Sequence, residues 1–179
     1  MKMNHAARWR SLLCLLLLLC SGSGGAQTAP QGPPPNPCPN QSEFRQFDFW
    51  VGEWNVTSEG QTVAQSSIQK IIGSCVIYEN YSQSDGYVGK SFNFYDAFLK
   101  KWRQTWVDSG GNVSEFSGEV KDGTMHYEGE SHRQNGRKIL RKMILTPLGP
   151  DKVRQYSERS LDDGKTWQVA YDFLYLRKK

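Results

Sequence analysis

No stretch of this chain is apolar for long enough to cross a bilayer as a helix: the run Leu12 to Leu19 falls well short of the about 20 residues a span needs. It has no G-x-S-x-G nucleophile turn, no phosphate-cradling glycine loop and no cysteine in a setting that lowers a thiol pKa. The usual carriers of acyl transfer and nucleotide chemistry are therefore missing. No segment sustains a 3.6-residue apolar period, which argues against a helical bundle.

A basic character is also missing from the part of the chain that folds. Lys2, Arg8 and Arg10 precede the run Leu12 to Leu19, and small residues ending in Gly24-Gly25-Ala26 follow it, the pattern of a secretory signal over residues 1–26. That leader holds three of the 22 Lys and Arg and none of the 18 Asp and Glu, so the remainder carries 19 against 18, a net +1. Nothing in that balance asks for nucleic acid. The expectation is a secreted or periplasmic protein without a transmembrane segment. A second possibility is a lipid anchor at Cys20, which Ser21-Gly22-Ser23-Gly24 follows, although Leu19 stands where such signals place a small residue.

Of the four cysteines, Cys38 and Cys75 lie beyond the leader. An even count in an oxidising compartment favours a disulfide over two unrelated buried thiols. Closing that loop of about 36 residues contributes roughly 3 to 4 kcal/mol on the chain-entropy model. The four Asn-x-Ser/Thr sequons at Asn40, Asn55, Asn80 and Asn112 are short matches that matter only in a eukaryotic secretory route.

Residues 27–41 are mostly Pro, Gly, Gln and Asn and read as an extended linker. From Ser42 to Lys179 the punctuation is regular, with Glu59-Gly60, Asp122-Gly123, Asn135-Gly136 and Asp163-Gly164 among nine turns. Dipeptides of the Asp-Gly and Asn-Gly kind suit hairpins whose two central residues take positive φ. The segments between turns are rich in β-branched and aromatic residues. Ten strands are expected, over 53–59, 61–72, 75–83, 87–96, 101–108, 112–121, 124–134, 137–147, 152–161 and 166–177. With an even number of consecutive antiparallel strands the first and last can pair. The expected fold is thus an all-β, antiparallel up-and-down barrel, with an open twisted sheet as the alternative.

The barrel's entrance is QFDFWVGEWNV, residues 46–56. Ser42 can cap a short helix that brings Phe44, Phe47 and Val51 to one side, and Gly52-Glu53-Trp54 then turns the chain into the first strand. A short aromatic helix at that point suits a plug for one barrel end. Gly52-Glu53-Trp54 resembles the G-x-W signature of lipocalins and other calycins. Together with YDAFLKKWRQTWVD and DDGKTWQVAYDFLYLRK it resembles a bacterial family of secreted calycin-like proteins of unknown function, over residues 43–179. The resemblance implies a barrel shut at one end with a possible interior ligand cavity, its ten strands nearer to fatty-acid-binding proteins and nitrobindins than to lipocalins. It also implies that a basic residue of the last strand, here Arg177, covers Trp54.

Further clusters carry possible chemistry. Ser160 to Trp167 matches S-x-D-x-G-x-T-W and so resembles the Asp box of sialidase propellers. With one copy and no repeated blades it reads as a rigid hairpin built by Asp162, Gly164 and Trp167. His126, Glu128, Glu130 and His132 alternate on one face of the seventh strand, where His126 and His132 are weak metal candidates against a solvated polar face; haem would need one of them turned inward. Arg154-x-Tyr156 resembles the carboxylate clamp of fatty-acid-binding proteins, with an outward ion-pairing strand as the alternative. Trp102, Gln104 and Trp106 share a face, as do Tyr171, Phe173 and Tyr175, either lining a cavity or filling it. The function expected is binding of a small apolar or amphipathic ligand at Trp102, Trp106, Arg154, Tyr156, Tyr171 and Phe173, without a cofactor. The alternatives are a barrel enzyme of isomerase or cyclase type and a filled barrel that acts as an interaction module. No catalytic residue stands out.

Overall fold

Side chains of a strand alternate between its two faces, and in this chain the alternation holds through ten consecutive segments. They are β1 (Gly52–Ser58), β2 (Gln61–Ile71), β3 (Val76–Gln83), β4 (Val88–Asp96), β5 (Lys101–Asp108), β6 (Val113–Lys121), β7 (Thr124–His132), β8 (Lys138–Pro147), β9 (Lys152–Ser160) and β10 (Gln168–Arg177). The structure, a computed structural model, describes residues 32–179. The expected leader and the Cys20 anchor lie outside the described residues. Each strand is hydrogen-bonded antiparallel to the next, and β1 pairs with β10, from Trp54 opposite Arg177 to Thr57 opposite Leu174. The sheet is a closed up-and-down barrel, consistent with a calycin-like fold.

Turn chemistry sets the register. Glu59 and Gly60 (φ 50° and 79°) and Asp122 and Gly123 (φ 50° and 75°) both take the positive φ that a tight two-residue hairpin requires. The turns after even strands gather at one end of the barrel, with the chain entrance. The turns after odd strands gather at the other end.

The entrance is built from two 3-10 turns, Ser42–Arg45 and Asp48–Trp50. Ser42 does not cap: Gln41 precedes the first turn in an extended conformation, and the Ser42 hydroxyl donates to Glu43. The side that turns inward is Phe44, Phe47 and Trp50, at a spacing of three, rather than Phe44, Phe47 and Val51. That is the period of a 3-10 helix, with three residues per turn. Phe47 stacks on Trp50 at 5.1 Å between centroids and meets Trp102 edge-on at 5.5 Å. Together these rings shut the entrance end.

Trp54 is completely buried, and its Nε1 donates to the Trp50 carbonyl at 2.9 Å. The Arg177 guanidinium lies 4.2 Å from its ring centroid and donates to the carbonyls of Val51 (3.1 Å) and Pro150 (3.0 Å). One residue thus covers the indole and ties the plug to the β8–β9 turn. Gly52 makes this possible, because a Cβ there would stand 2.0 Å from Arg177 Nη1 and its φ is +148°. Gly52→Ala is expected to cost about 1 to 3 kcal/mol. Urea unfolding followed by tryptophan emission checks this, and an unchanged midpoint would show the Arg177 cover to be unimportant.

A disulfide joins Cys38 to Cys75, and Asn36 Nδ2 donates to the Gly73 carbonyl at 2.7 Å. The last residues of the Pro-rich stretch therefore belong to the folded unit, which runs from Pro35 to Lys179.

Inside, the barrel changes character along its axis. At the plugged end Trp54, Ile68, Ile77, Trp102, Met125, Leu145 and Val153 form a close-packed apolar layer. A polar belt follows, with Ser66, Glu79, Ser91, Asn93, Gln104, Gln155 and Ser157 all buried. Beyond the belt, toward the other end, the interior opens.

Candidate functional site

The open half of the barrel holds a cavity of about 400 Å³. Protein interiors are close-packed, with few voids larger than a water molecule, so a space of this size is a built feature. Its floor is Glu79, Gln155 and Tyr175; one wall is Tyr81 and Trp106, the other Tyr171 and Phe173. Strand phase explains each placement. Ile77, Glu79 and Tyr81 share the inner face of β3, as Trp102, Gln104 and Trp106 do on β5 and Tyr171, Phe173 and Tyr175 on β10. The Trp106 indole lies against Gly89, whose added Cβ would sit 2.0 Å from the ring. A bare backbone on β4 therefore makes room for an aromatic wall.

The two walls differ in order. Tyr171 and Phe173 stack at 4.6 Å with an interplanar angle of 11°. Tyr81 meets Trp106 edge-on at 5.8 Å. Both pairs present ring surface to the cavity, which suits an apolar body.

Glu79 is the most unusual group of the floor. The residue is 2% exposed, and its carboxyl accepts from Ser66 Oγ (3.0 Å), Ser91 Oγ (3.0 Å) and Tyr175 OH (3.2 Å). Burial pushes its pKa up to about 7, against the lowering effect of the three hydroxyls. The Tyr175 hydroxyl is also 2.8 Å from Gln155 Oε1, and it has one proton to give. A protonated Glu79 resolves that competition by donating itself. Burial likewise raises the Tyr81 hydroxyl to about 12, so this wall stays neutral.

At the mouth the charges separate. On the β3–β6 side, Asp108 accepts from Tyr87 OH (2.9 Å), Asn112 and the Gly110 amide, and Asp85 accepts from the Tyr87 amide. Partial burial opposes the ionised form of Asp108, but these hydrogen bonds together hold its carboxyl below the usual range. On the β7–β9 side, Arg133, Arg141 and Arg159 face the cavity.

Three of the six expected ligand contacts, Trp106, Tyr171 and Phe173, meet in this cavity. Trp102 lies at the plugged end, 1% exposed, with its Nε1 donating to Gln46 at 3.2 Å. Arg154 and Tyr156 are placed on the outer wall, because Val153, Gln155 and Ser157 take the inner face of β9. Arg154 there makes a two-pronged pair with Asp172, at 2.8 and 2.7 Å. The carboxylate-clamp expectation is corrected by strand phase.

His126 and His132 also face outward, since Met125, Tyr127 and Ser131 take the inner face of β7. His132 Nε2 lies 2.7 Å from Glu130, which also meets Lys138. Among the described residues no group of three or more His, Cys, Asp or Glu is placed to hold a metal ion.

The Ser160–Trp167 segment is a hydrogen-bonded hairpin. Ser160 Oγ accepts from the Gly164 amide (2.8 Å), and Asp162 accepts from the Thr166 amide (2.9 Å) and hydroxyl (2.7 Å). The Thr166 hydroxyl is the main cause that lowers the Asp162 carboxyl to about 2. Lys142 Nζ stands 4.2 Å over the Trp167 ring.

The sequence reading missed Glu79, Tyr81, Arg133, Arg141 and Arg159. The signal was alternation: Ile139-x-Arg141-x-Met143-x-Leu145 puts an arginine on an otherwise apolar inner face. No helix among the described residues is long and apolar enough to cross a membrane. The chain matches no protein-family model and no curated protein.

Proposed function

We propose that this chain is a secreted or periplasmic binding protein of the calycin type that takes a small apolar or amphipathic ligand through the open end of its barrel. The observation that carries the reading is the cavity of about 400 Å³, within the usual range of roughly 300 to 1,000 Å³ for small-molecule sites. Its aromatic walls of Trp106, Tyr81, Tyr171 and Phe173 supply the apolar contact. The Cys38–Cys75 disulfide fits an oxidising compartment. A barrel filled along its whole length, acting only through its surface, has no need of such a space.

Native mass spectrometry of protein taken from its own compartment is expected to reveal a retained small molecule at one copy per chain. Added ligand at about a hundred times its Kd stabilises the fold by roughly 2.7 kcal/mol, a shift of several degrees in the melting temperature. No adduct, together with no thermal shift from fatty acids, haem or isoprenoids, would sink the reading.

Glu79 favours a second reading, proton transfer on the bound molecule as in an isomerase or cyclase. A buried acid that titrates near pH 7 at the floor of a cavity can both give and accept a proton. Incubating the retained molecule in D₂O with wild type and with Glu79→Gln separates the two. Deuterium entering carbon positions only with wild type supports catalysis. No incorporation in either leaves a carrier.

A further inference from the structure

The three inward arginines at the mouth lack the carboxylate partner that Arg154, Arg177 and Arg45 each have. Arg154 pairs with Asp172, Arg177 with Asp151 and Arg45 with Asp48. Arg133, Arg141 and Arg159 form no ion pair among the described residues, and the Nε atoms of Arg141 and Arg159 are buried without a hydrogen-bond partner. Arg141 and Arg159 also stand directly opposite each other on β8 and β9. Like charges facing across a strand pair destabilise a sheet, and a buried donor left unpaired costs free energy. The carboxylates that line the same cavity do not answer them. Asp108 and Asp85 are satisfied by neutral donors of the opposite rim, and Glu79 by the hydroxyls of the floor.

Resting on the reading of this cavity as a ligand site, we propose that the ligand carries an oxyanion group (carboxylate, sulfonate or phosphate) seated between Arg141 and Arg159, with Arg133 at the rim. Two guanidinium forks on neighbouring strands match the paired oxygens of such a group and bind it by charge-assisted hydrogen bonds. The Arg141 guanidinium lies 5.5 Å over the Tyr171 ring, which stacks on Phe173. The anion seat thus adjoins the aromatic wall, and the ligand is an amphipathic anion whose apolar part runs inward along Tyr171 and Phe173. The repulsion within the arginine pair is a cost of the empty cavity that the anion removes.

The test is a pair of fluorescent probes that differ only in the charged group, anilinonaphthalenesulfonate and its neutral parent N-phenylnaphthylamine. Wild type is expected to bind the sulfonate at least about tenfold more tightly, the scale of one charged hydrogen bond. Arg141→Gln and Arg159→Gln should each erase that preference, leave the neutral probe's affinity unchanged, and leave the melting temperature of the empty protein unchanged or higher. Arg141→Lys, which keeps the charge and loses the fork, should fall between. Competition by octanoate and octyl phosphate, but not by octanol, then ranks the head groups. Equal affinity for the two probes, unaffected by either variant, overturns the anion seat while the cavity reading stands. Binding of neither probe overturns both. A loss of preference as large in Arg154→Gln, on the outer wall, shows only a general charge effect and also overturns the seat.

Discussion

Replacing Glu79 by Gln is expected to flatten the pH dependence of stability and to make the barrel more stable above neutrality. The folded-state pKa of about 7 lies above the ordinary value of 4.5. Between those values the folded protein holds a proton that the unfolded chain has released, so stability falls as pH rises. The contribution is fully present below about pH 4.5 and is lost through pH 7, and it amounts to something on the order of 3 kcal/mol. Gln keeps the shape and can still meet Ser66, Ser91 and Tyr175, yet carries no charge to bury. Urea midpoints for both proteins at about pH 5 and about pH 8 decide it. Wild type should lose stability between the two and Glu79→Gln should not; a parallel loss in both would place the titrating group elsewhere. Asp162 does not blur the comparison. Its lowered pKa of about 2 gives a contribution that is lost only as pH falls toward that value.

Removing the disulfide is the other large perturbation. The double variant Cys38→Ala, Cys75→Ala is expected to lose roughly 3 to 4 kcal/mol, because the 37-residue separation gives the unfolded chain a long loop to release. The damage should be greatest at the plug, since Cys38 precedes the 3-10 turns that carry Phe44, Phe47 and Trp50. Hydrogen exchange should therefore rise first at residues 36–50 and in the β2–β3 connection, with β6 to β9 still protected. Uniform loss of protection would mean that the plug and barrel unfold as one unit. Ligand binding at the opposite end should survive under conditions where the variant stays folded.

Much of the architecture was legible because turn chemistry and two-residue alternation are local properties. Ten strands lie within two residues of the expected bounds, and Trp54 beneath Arg177 follows from the β1–β10 pairing that closes the barrel. The entrance was harder to read. Phe44, Phe47 and Trp50 turn inward at a spacing of three because the segment is 3-10 rather than α-helical, and the two periods diverge only after a full turn.

The site was legible in part for a different reason. Aromatics such as Trp106 and Phe173 draw notice wherever they stand, whereas Arg154 and Arg141 look alike until strand phase is set by neighbours. Val153 and Gln155 flank Arg154 and take the inner face, sending it outward; Leu140 and Lys142 flank Arg141 and face out, sending it inward. Whether the interior is hollow or filled had no local signal at all. It is filled at the plug and open beyond Glu79, and that division depends on how side chains from all ten strands meet around one axis.

The central claim is that a ligand occupies the open half of the barrel, and amide chemical-shift mapping during titration with sodium decanoate tests it most directly. The account predicts saturable shifts at Trp106, Ser131, Phe173 and the turns that follow the odd strands, with the Trp54–Arg177 end and the outer Arg154–Asp172 pair unmoved. Shifts confined to the plugged end or to the outer wall would contradict it.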